Sequence, residues 1–210
     1  MQFRILSDLH FQTLNDVKVF CSSYQGGSFP VVLAGDLVEV PTADNAPLLH
    51  LISFMSNNHS SVIYVFGNHE HWTHGLNAVE TFRASIQHLK NVFLLENTSV
   101  TIDDVEFFGC TLWPDYKQAN PAVLEYAQNV DENVRRVGVD VSMVQERQRQ
   151  SVQSLRALVP NRKRIIITHY APSCLSITDD FQCDEPLMQY LCYSEITDVC
   201  LLYTSPSPRD

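Results

Sequence analysis

The sequence lacks a long hydrophobic run and a paired-cysteine motif. No stretch reaches the roughly 18 apolar residues that a membrane span needs, and the opening MQFRILSDLH has no apolar signal-peptide core. The six cysteines are far apart and none forms a C-x-x-C pair, which excludes a zinc knuckle and a dense disulfide scaffold. We therefore expect a soluble, cytoplasmic protein with reduced and mostly buried thiols.

Basic residues are also scarce. Lys and Arg number 14 against 24 Asp and Glu, so the net charge is -10. This charge disfavours passive binding to nucleic-acid backbones and to anionic membranes. We expect neither partner, and a phosphorylated substrate would need local cations. The sequence leaves the oligomeric state open.

Short apolar runs and helical spacings alternate along the chain, whose 210 residues are 45% hydrophobic and suit a single domain. Continuous runs predict strands buried on both faces, at residues 3–6, 31–34, 62–66 and 164–168. Helical spacing marks residues 48–55, 79–86 and 143–158. The alternation predicts an α/β architecture.

The middle of the chain has a different pattern. Residues 92–113 contain apolar stretches broken by turn-forming residues, among them Asp103 and Asp104. This pattern predicts a strand followed by a hairpin, and so a second, partly antiparallel sheet. The stretch DYKQANPAV at residues 115–123 is interpreted as a loop.

Each predicted main strand ends in polar residues: Asp8 and His10, then Asp36, then Asn68, His69 and Glu70, and last His169. The carboxyl ends of neighbouring strands open onto one crevice in α/β sheets, so these side chains can meet there. Carboxylate, amide and imidazole ligands together suit Mn, Fe or Zn better than Ca or Mg. Gly35 and Gly67 directly precede candidate ligands and permit tight turns and close backbone approach.

The ordered motifs Asp8-x-His10, Gly35-Asp36, Gly67-Asn68-His69-Glu70 and a later His169 resemble the calcineurin-like metallophosphoesterase superfamily. The resemblance spans residues 1–199. It implies an α/β fold in which a two-sheet β-sandwich is flanked by helices. It also implies a centre of two divalent metal ions that hydrolyses a small phosphomonoester or phosphodiester.

The resemblance also implies a role for each residue. Asp8 and His10 would hold the first metal, Asp36 would bridge both, and Asn68 and His169 would hold the second. A hydroxide shared by the metals would attack phosphorus. His69 would stay off the metals as the catalytic residue that assists the leaving group, and Glu70 would orient a ligand or its loop.

The superfamily pattern closes with Gly-His-x-His, whose histidines complete both metal shells, and the sequence has no histidine after His169. Residues 200–210, CLLYTSPSPRD, resemble the in-frame translation of a transposase adapter used in DNA-library preparation. We therefore expect residues 200–210 to be an artefactual tail on a truncated phosphoesterase domain, residues 1–199, with impaired metal binding.

Several other residues are weighed less heavily. His71 and His74 are interpreted as surface or pocket-rim residues, with substrate contact as the alternative. Trp113 and Asp115 can line the pocket or pack in the core, and we leave them out of the site. A non-catalytic binding scaffold with the same fold remains the alternative function.

Overall fold

The computed structural model describes residues 1–39, 45–72, 74–159, 162–177 and 187–198. The predicted tail at residues 200–210 lies outside the described residues. The chain divides into two compact units. The first comprises Met1–Thr111 and Ile165–His169, and the second comprises Leu112–Arg164 and the described residues from Tyr170 onward.

The first unit contains a four-stranded parallel sheet. Its strands, in spatial order, are β1 (Arg4–Leu6), β2 (Val31–Leu33), β3 (Val62–Val65) and β4 (Val92–Leu95). The runs predicted as strands at residues 3–6, 31–34 and 62–66 are confirmed. Every residue of β2 and β3 is buried, which explains why these strands read as continuous apolar runs.

Helices connect these strands: α1 (Leu14–Ser23), α2 (Ala46–Asn58) and α3 (Ala78–Ile86). The spacing at residues 48–55 and 79–86 predicted α2 and α3, whereas α1 was not predicted. Thr13 caps α1 by accepting a hydrogen bond from the Asp16 amide, and the Asp16 side chain accepts one from the Thr13 amide. This capping box is a start signal that the sequence does carry.

A second, three-stranded sheet has the order β5 (Thr98–Ile102), β6 (Val105–Cys110) and β7 (Arg164–Thr168). Strands β5 and β6 form an antiparallel hairpin, as predicted. Both turn residues, Asp103 and Asp104, have positive φ (48° and 64°), as the favoured two-residue hairpin turns require. The fold of the first unit is therefore mixed α/β with one parallel and one mixed sheet.

Two apolar clusters form the core of the first unit. One packs the helices on the parallel sheet and includes Leu33, Leu51, Tyr64 and Phe82. The other draws on both sheets and is made of Val32, Ile63, Val65, Leu95, Phe107 and Ile167. Gly109 in β6 permits a close approach, because a Cβ there would lie 2.6 Å from Val65 Cγ2 and 2.7 Å from Leu95 Cβ.

The second unit is mainly helical, with α4 (Tyr116–Ala119), α5 (Pro121–Val130), α6 (Glu132–Val137) and α7 (Val141–Arg156). The loop interpretation of residues 115–123 was wrong, because α4 and α5 begin there. Asn120 caps α5 and Pro121 occupies its first position, where a missing N–H costs nothing. The four residues of α4 all have positive φ, so α4 is a left-handed turn. Apolar periodicity does not predict such a turn.

The described cysteines are free thiols: Cys21 and Cys110 are buried, Cys192 is half-buried and Cys174 is exposed. Cys183 and Cys200 lie outside the described residues. Among the described helices, none combines the length and the apolar character that crossing a membrane requires.

Candidate metal centre

The first unit gathers the polar residues that follow β1, β2, β3 and β7. His10 Nε2 lies 3.8 Å from Asp8 Oδ1 and 3.8 Å from Asp36 Oδ2. His169 Nε2 lies 3.4 Å from Asp36 Oδ2 and 3.0 Å from Asn68 Oδ1. The other four residues predicted as metal ligands therefore lie around Asp36.

Three of these residues have a strained backbone. Asp8, His10 and Asp36 have φ values of 54°, 47° and 50°, a left-handed region that costs a non-glycine residue about 1–2 kcal/mol. Backbone hydrogen bonds hold two of them there, since the Asp8 amide donates to Gly35 O and the His10 amide to Asp36 O, each at 3.0 Å. Strain of this kind concentrates at functional sites, where the surrounding structure maintains it.

Asp36 is the central residue of the group and is only 4% exposed. Its Oδ1 accepts a hydrogen bond from the His69 amide at 3.0 Å. Burial raises the pKa of Asp36, but the hydrogen bond and charge of His169, together with His69, outweigh burial and lower it. Asp36 is therefore an anion in the folded protein.

His169 faces Asp36 from the end of β7. Its Nδ1 donates to Ala34 O at 3.0 Å, which aims Nε2 at Asp36 and Asn68. Burial lowers the pKa of His169, but Asp36 overcomes this effect and raises it to about 9. A proton therefore occupies the ring where a metal ion would have to displace it.

The spacing of the donor atoms fits metal coordination. Asp36 Oδ2 lies 3.8, 3.6 and 3.4 Å from the Nε2 atoms of His10, His69 and His169. The separations from His10 and His69 are too long for hydrogen bonds. Ligands about 2.1 Å from one ion in tetrahedral geometry stand about 3.4 Å apart. Donor atoms of Asp8, His10 and Asp36 lie within 4.8 Å of one another and could hold a metal ion.

Glu39 is a site residue that the sequence reasoning missed. Its Oε2 lies 2.8 Å from His10 Nδ1, and its backbone carbonyl accepts a hydrogen bond from His69 Nδ1 at 2.7 Å. His10, Glu39 and His69 form a second group whose donor atoms could hold a metal ion. The only signal for Glu39 in the sequence is an acidic residue three positions after Asp36. The segment has no periodicity from which the direction of its side chains can be inferred.

His69 packs against Trp72, which the sequence reasoning also missed. The ring centroids lie 3.6 Å apart with an interplanar angle of 31°. The segment His69–His71 is one turn of 3₁₀ helix, and the Trp72 amide donates to His69 O at 3.0 Å. Side chains three residues apart eclipse in a 3₁₀ turn, so the sequence position of Trp72 predicts this stacking once the turn is known.

Glu70 ties the two ligand-bearing loops together. Its Oε2 accepts hydrogen bonds from the Asp36 and Gly67 amides at 2.9 and 2.7 Å, and its Oε1 accepts one from the Leu37 amide at 2.7 Å. Burial and the nearby charge of Asp36 raise its pKa to about 7. Burial, with the charges of Glu70 and Asp36, also raises the pKa of Tyr64. These contacts give Glu70 the loop-orienting position that the sequence reasoning expected.

Gly35 and Gly67 permit the close approach of the loops that follow β2 and β3. A Cβ on Gly35 would lie 2.5 Å from Gly67 N and 2.6 Å from His169 Nδ1, and its φ is +94°. A Cβ on Gly67 would overlap Asp36 Oδ1 and lie 2.5 Å from Asp36 N. Both positions therefore require glycine, as predicted from their places before the ligands.

The remaining candidate residues make other contacts. His71 is buried rather than at a rim, and its Nδ1 donates to Gly75 O at 3.1 Å. His74 Nε2 lies 3.2 Å from the Asn45 side-chain amide. Trp113 and Asp115 belong to the second unit, where both are buried. The Asp115 carboxylate accepts backbone hydrogen bonds from Gln118 and Glu195.

Comparison with known proteins adds no family assignment to this geometry. No protein-family model matches the sequence, and no curated protein matches it significantly.

Proposed function

We propose that the chain is a metal-dependent phosphoesterase of the calcineurin-like kind, with a two-sheet sandwich fold and a two-metal centre. The carrying observation is that Asp36 Oδ2 lies 3.8 Å from His10 Nε2 and 3.4 Å from His169 Nε2. Asp8 and Asn68 add oxygen donors on either side of this group. One buried carboxylate shared by several ligands is what a metal-bridging residue requires.

The donor set fits two divalent cations. Asp8, His10 and Asp36 would hold one, and Asp36, Asn68 and His169 would hold the other. The mixture of oxygen and nitrogen donors favours Mn, Fe or Zn. When bound, such a pair lowers the pKa of a shared water and neutralises charge on phosphoryl oxygens.

His69 would supply the proton for the leaving group. Its Nδ1 donates to the Glu39 carbonyl, so the imidazolium carries its second proton on Nε2, on the side of Asp36. Nε2 can give that proton to the leaving oxygen, which leaves a neutral ring still hydrogen-bonded through Nδ1. The Trp72 ring stacks on the imidazole of His69 and helps to hold it in this orientation.

The substrate would be a small phosphomonoester or phosphodiester. The net charge of -10 opposes the long-range attraction on which binding to a nucleic-acid backbone depends. A small substrate instead needs only the local positive charge of the metals and of His69. We also propose that metal binding is impaired, because the sequence lacks the Gly-His-x-His string that completes both shells in the superfamily.

The test is Mn-dependent hydrolysis of bis-p-nitrophenyl phosphate by the protein, followed with metal titration. We expect Asp36→Asn to abolish turnover and metal binding, and His69→Ala to reduce turnover while metal binding persists. Asp104→Asn, at an exposed hairpin turn, makes the same chemical change away from the site and should alter neither. Absence of both metal binding and turnover in the unmodified protein would favour the scaffold function. Two tightly bound ions with full turnover would contradict the proposed impairment.

A further inference from the structure

Strand β4 forms an open edge of the parallel sheet. In the described part of the chain it pairs with β3, and no strand pairs with its other side. The Val62 amide donates to Asn91 O at 2.8 Å, and Val62 stands opposite Val92 in the parallel register. Because backbone groups alternate in direction along a strand, the amides and carbonyls of Val92 and Leu94 point away from β3. These groups form the kind of edge to which a further strand can add.

Two of these four outward groups make long hydrogen bonds within the chain. The Val92 amide donates to Leu89 O at 3.3 Å, and Arg83 Nη2 donates to Leu94 O at 3.3 Å. A usual hydrogen bond of this type measures about 2.9 Å, and the Arg83 side chain is exposed. The other two groups are the Val92 carbonyl and the Leu94 amide. In a parallel arrangement, one residue of an added strand donates to the first and accepts from the second.

The open edge lies in a groove of about 380 Å³ that α3 and β5 also line. Its apolar lining includes Ile86, Leu89 and Val100. Arg83 and Lys90 line it as well and are exposed, and none of its described lining residues is acidic. The rest of the chain is strongly acidic, since the net charge is -10. Local positive charge on such a protein favours a partner that is negatively charged at this place.

We propose that this β4 groove binds an extended acidic peptide of a partner protein as an additional strand. The peptide backbone would pair with Val92 and Leu94, and its apolar side chains would cover the apolar lining. Its carboxylates would pair with Arg83 and Lys90. Arg83 would exchange its bond to the Leu94 carbonyl for a charge-assisted bond to a carboxylate, which is about twice as strong as a neutral one. The freed Leu94 carbonyl would then accept from the peptide.

The first experiment tests the charge preference by fluorescence polarisation in EDTA. The probe is a labelled peptide of four valines flanked by two aspartates at each end. The unmodified chain should bind it saturably, and should bind the same peptide with lysines in place of aspartates at least about 10-fold more weakly. Lys90→Glu should weaken binding of the aspartate peptide about 5- to 30-fold and strengthen binding of the lysine peptide. Lys18→Glu, at an exposed residue of α1, makes the same change in net charge and should alter neither.

The second experiment tests strand addition separately from charge. Backbone hydrogen exchange at the Leu94 amide should slow when the aspartate peptide is bound, because that amide gains an acceptor. Exchange at Phe93, whose amide points toward β3, should change little. Methylation of the peptide nitrogens of the four valines removes the donors and keeps the side chains. It should weaken binding at least about 5-fold, the net value of one hydrogen bond.

Four results would overturn the proposal. The first is no saturable binding of the aspartate peptide, and the second is equal affinity for the aspartate and lysine peptides. The third is binding without slower exchange at Leu94, which would exclude strand addition. The fourth is a Leu94 amide that is protected without peptide and loses its protection on dilution, which would show that a second copy of the chain occupies the edge. All measurements are made in EDTA, so failure of the phosphoesterase assay does not affect them.

Discussion

The side chain of Glu70 accepts a hydrogen bond from the backbone amide of Asp36, at 2.9 Å and in full burial. The φ of Asp36 is 50°, so this contact stabilises a backbone conformation that a non-glycine residue rarely adopts. Glu70 also accepts from the amide of Leu37, the next residue in that turn, and from the amide of Gly67, in the loop that follows β3. The orientation of the central carboxylate therefore depends on Glu70, whose two carboxylate oxygens both accept backbone hydrogen bonds.

Replacing Glu70 with Gln tests this dependence. One carboxylate oxygen becomes an NH₂ group that faces backbone N–H donors, and at least one of those amides loses its acceptor. We expect the free energy of unfolding to fall by about 1–3 kcal/mol, the cost of an unsatisfied buried polar group. Urea denaturation of the metal-free protein measures this change, and Mn²⁺ titration should show weaker binding.

The matched control for Glu70→Gln is Glu132→Gln, which affects an exposed ion pair with Arg136. Such pairs contribute about 0–1 kcal/mol, so the control should alter stability little. Equal effects of the two substitutions would show that Glu70 does not organise the loops.

Gly67→Ala should disrupt the site by steric overlap. The new Cβ would overlap the Asp36 side chain and lie 2.5 Å from its amide nitrogen, so one of the two loops must move. We expect a loss of about 1–3 kcal/mol of stability, together with loss of metal binding.

Gly138→Ala provides the comparison for Gly67→Ala. Gly138 has φ +69° and no atom within 4 Å of the added Cβ, so it measures backbone strain without overlap. That variant should lose about 1–2 kcal/mol and keep its metal affinity. Thermal unfolding and Mn²⁺ titration of both variants separate the two causes.

The metal-free protein should become less stable as pH rises from about 5 to about 9. Glu70 has a pKa raised from 4.5 to about 7, and His169 has a pKa raised from 6.5 to about 9. Between pH 4.5 and about 7 for Glu70, and between pH 6.5 and about 9 for His169, the folded state holds a proton that the unfolded state releases. Rising pH therefore favours unfolding in both intervals. The lowered pKa of Asp36 acts only in acid, below 3.8, where falling pH removes its contribution.

A divalent cation should reverse this trend, because it takes the position of the His169 proton. Stabilisation by Mn²⁺ should therefore grow with pH. Thermal midpoints with and without MnCl₂ across that range measure the effect, and His169→Gln should flatten its upper half. A pH-independent midpoint in the metal-free protein would contradict the assigned proton positions.

Trp72→Ala should affect catalysis more than metal binding. The aromatic ring stacks on His69 and helps to hold the imidazole in place, a contribution of about 1 kcal/mol. We expect turnover to fall about 5- to 10-fold, with Mn²⁺ affinity unchanged. Trp72→Phe should recover most of the turnover. An equal loss of metal affinity in Trp72→Ala would indicate that the ring supports the loop rather than His69.

The sequence predicts the sheets better than the helices, for a physical reason. Strands β2 and β3 are buried on both faces, so their apolar runs are continuous and easily recognised. In contrast, α1 buries only Val17 and Cys21, so few buried apolar positions mark its helical spacing. The turn at α4 is left-handed, and neither apolar periodicity nor helix propensity describes such a conformation.

Within the site, residues that follow strands are likewise easier to predict than residues in irregular segments. Asp8, Asp36, Asn68 and His169 lie one to three residues after the ends of strands, so strand prediction alone brings them to one edge. The place of Glu39 depends on side-chain direction in an irregular segment, which no pattern in the sequence encodes. His71 is polar and lies beside predicted ligands, yet its ring packs on Phe66 with centroids 5.6 Å apart.

The first unit is discontinuous in sequence, which affects the order in which it forms during synthesis. The chain leaves this unit after Thr111 and returns only over Ile165–His169. A growing polypeptide can therefore pair β1 to β4 and position Asp8, His10, Asp36 and Asn68 long before His169 leaves the ribosome. Because non-local strands join late, the proposed second metal could be captured only when β7 inserts, and cation availability at that moment would influence the yield of folded protein.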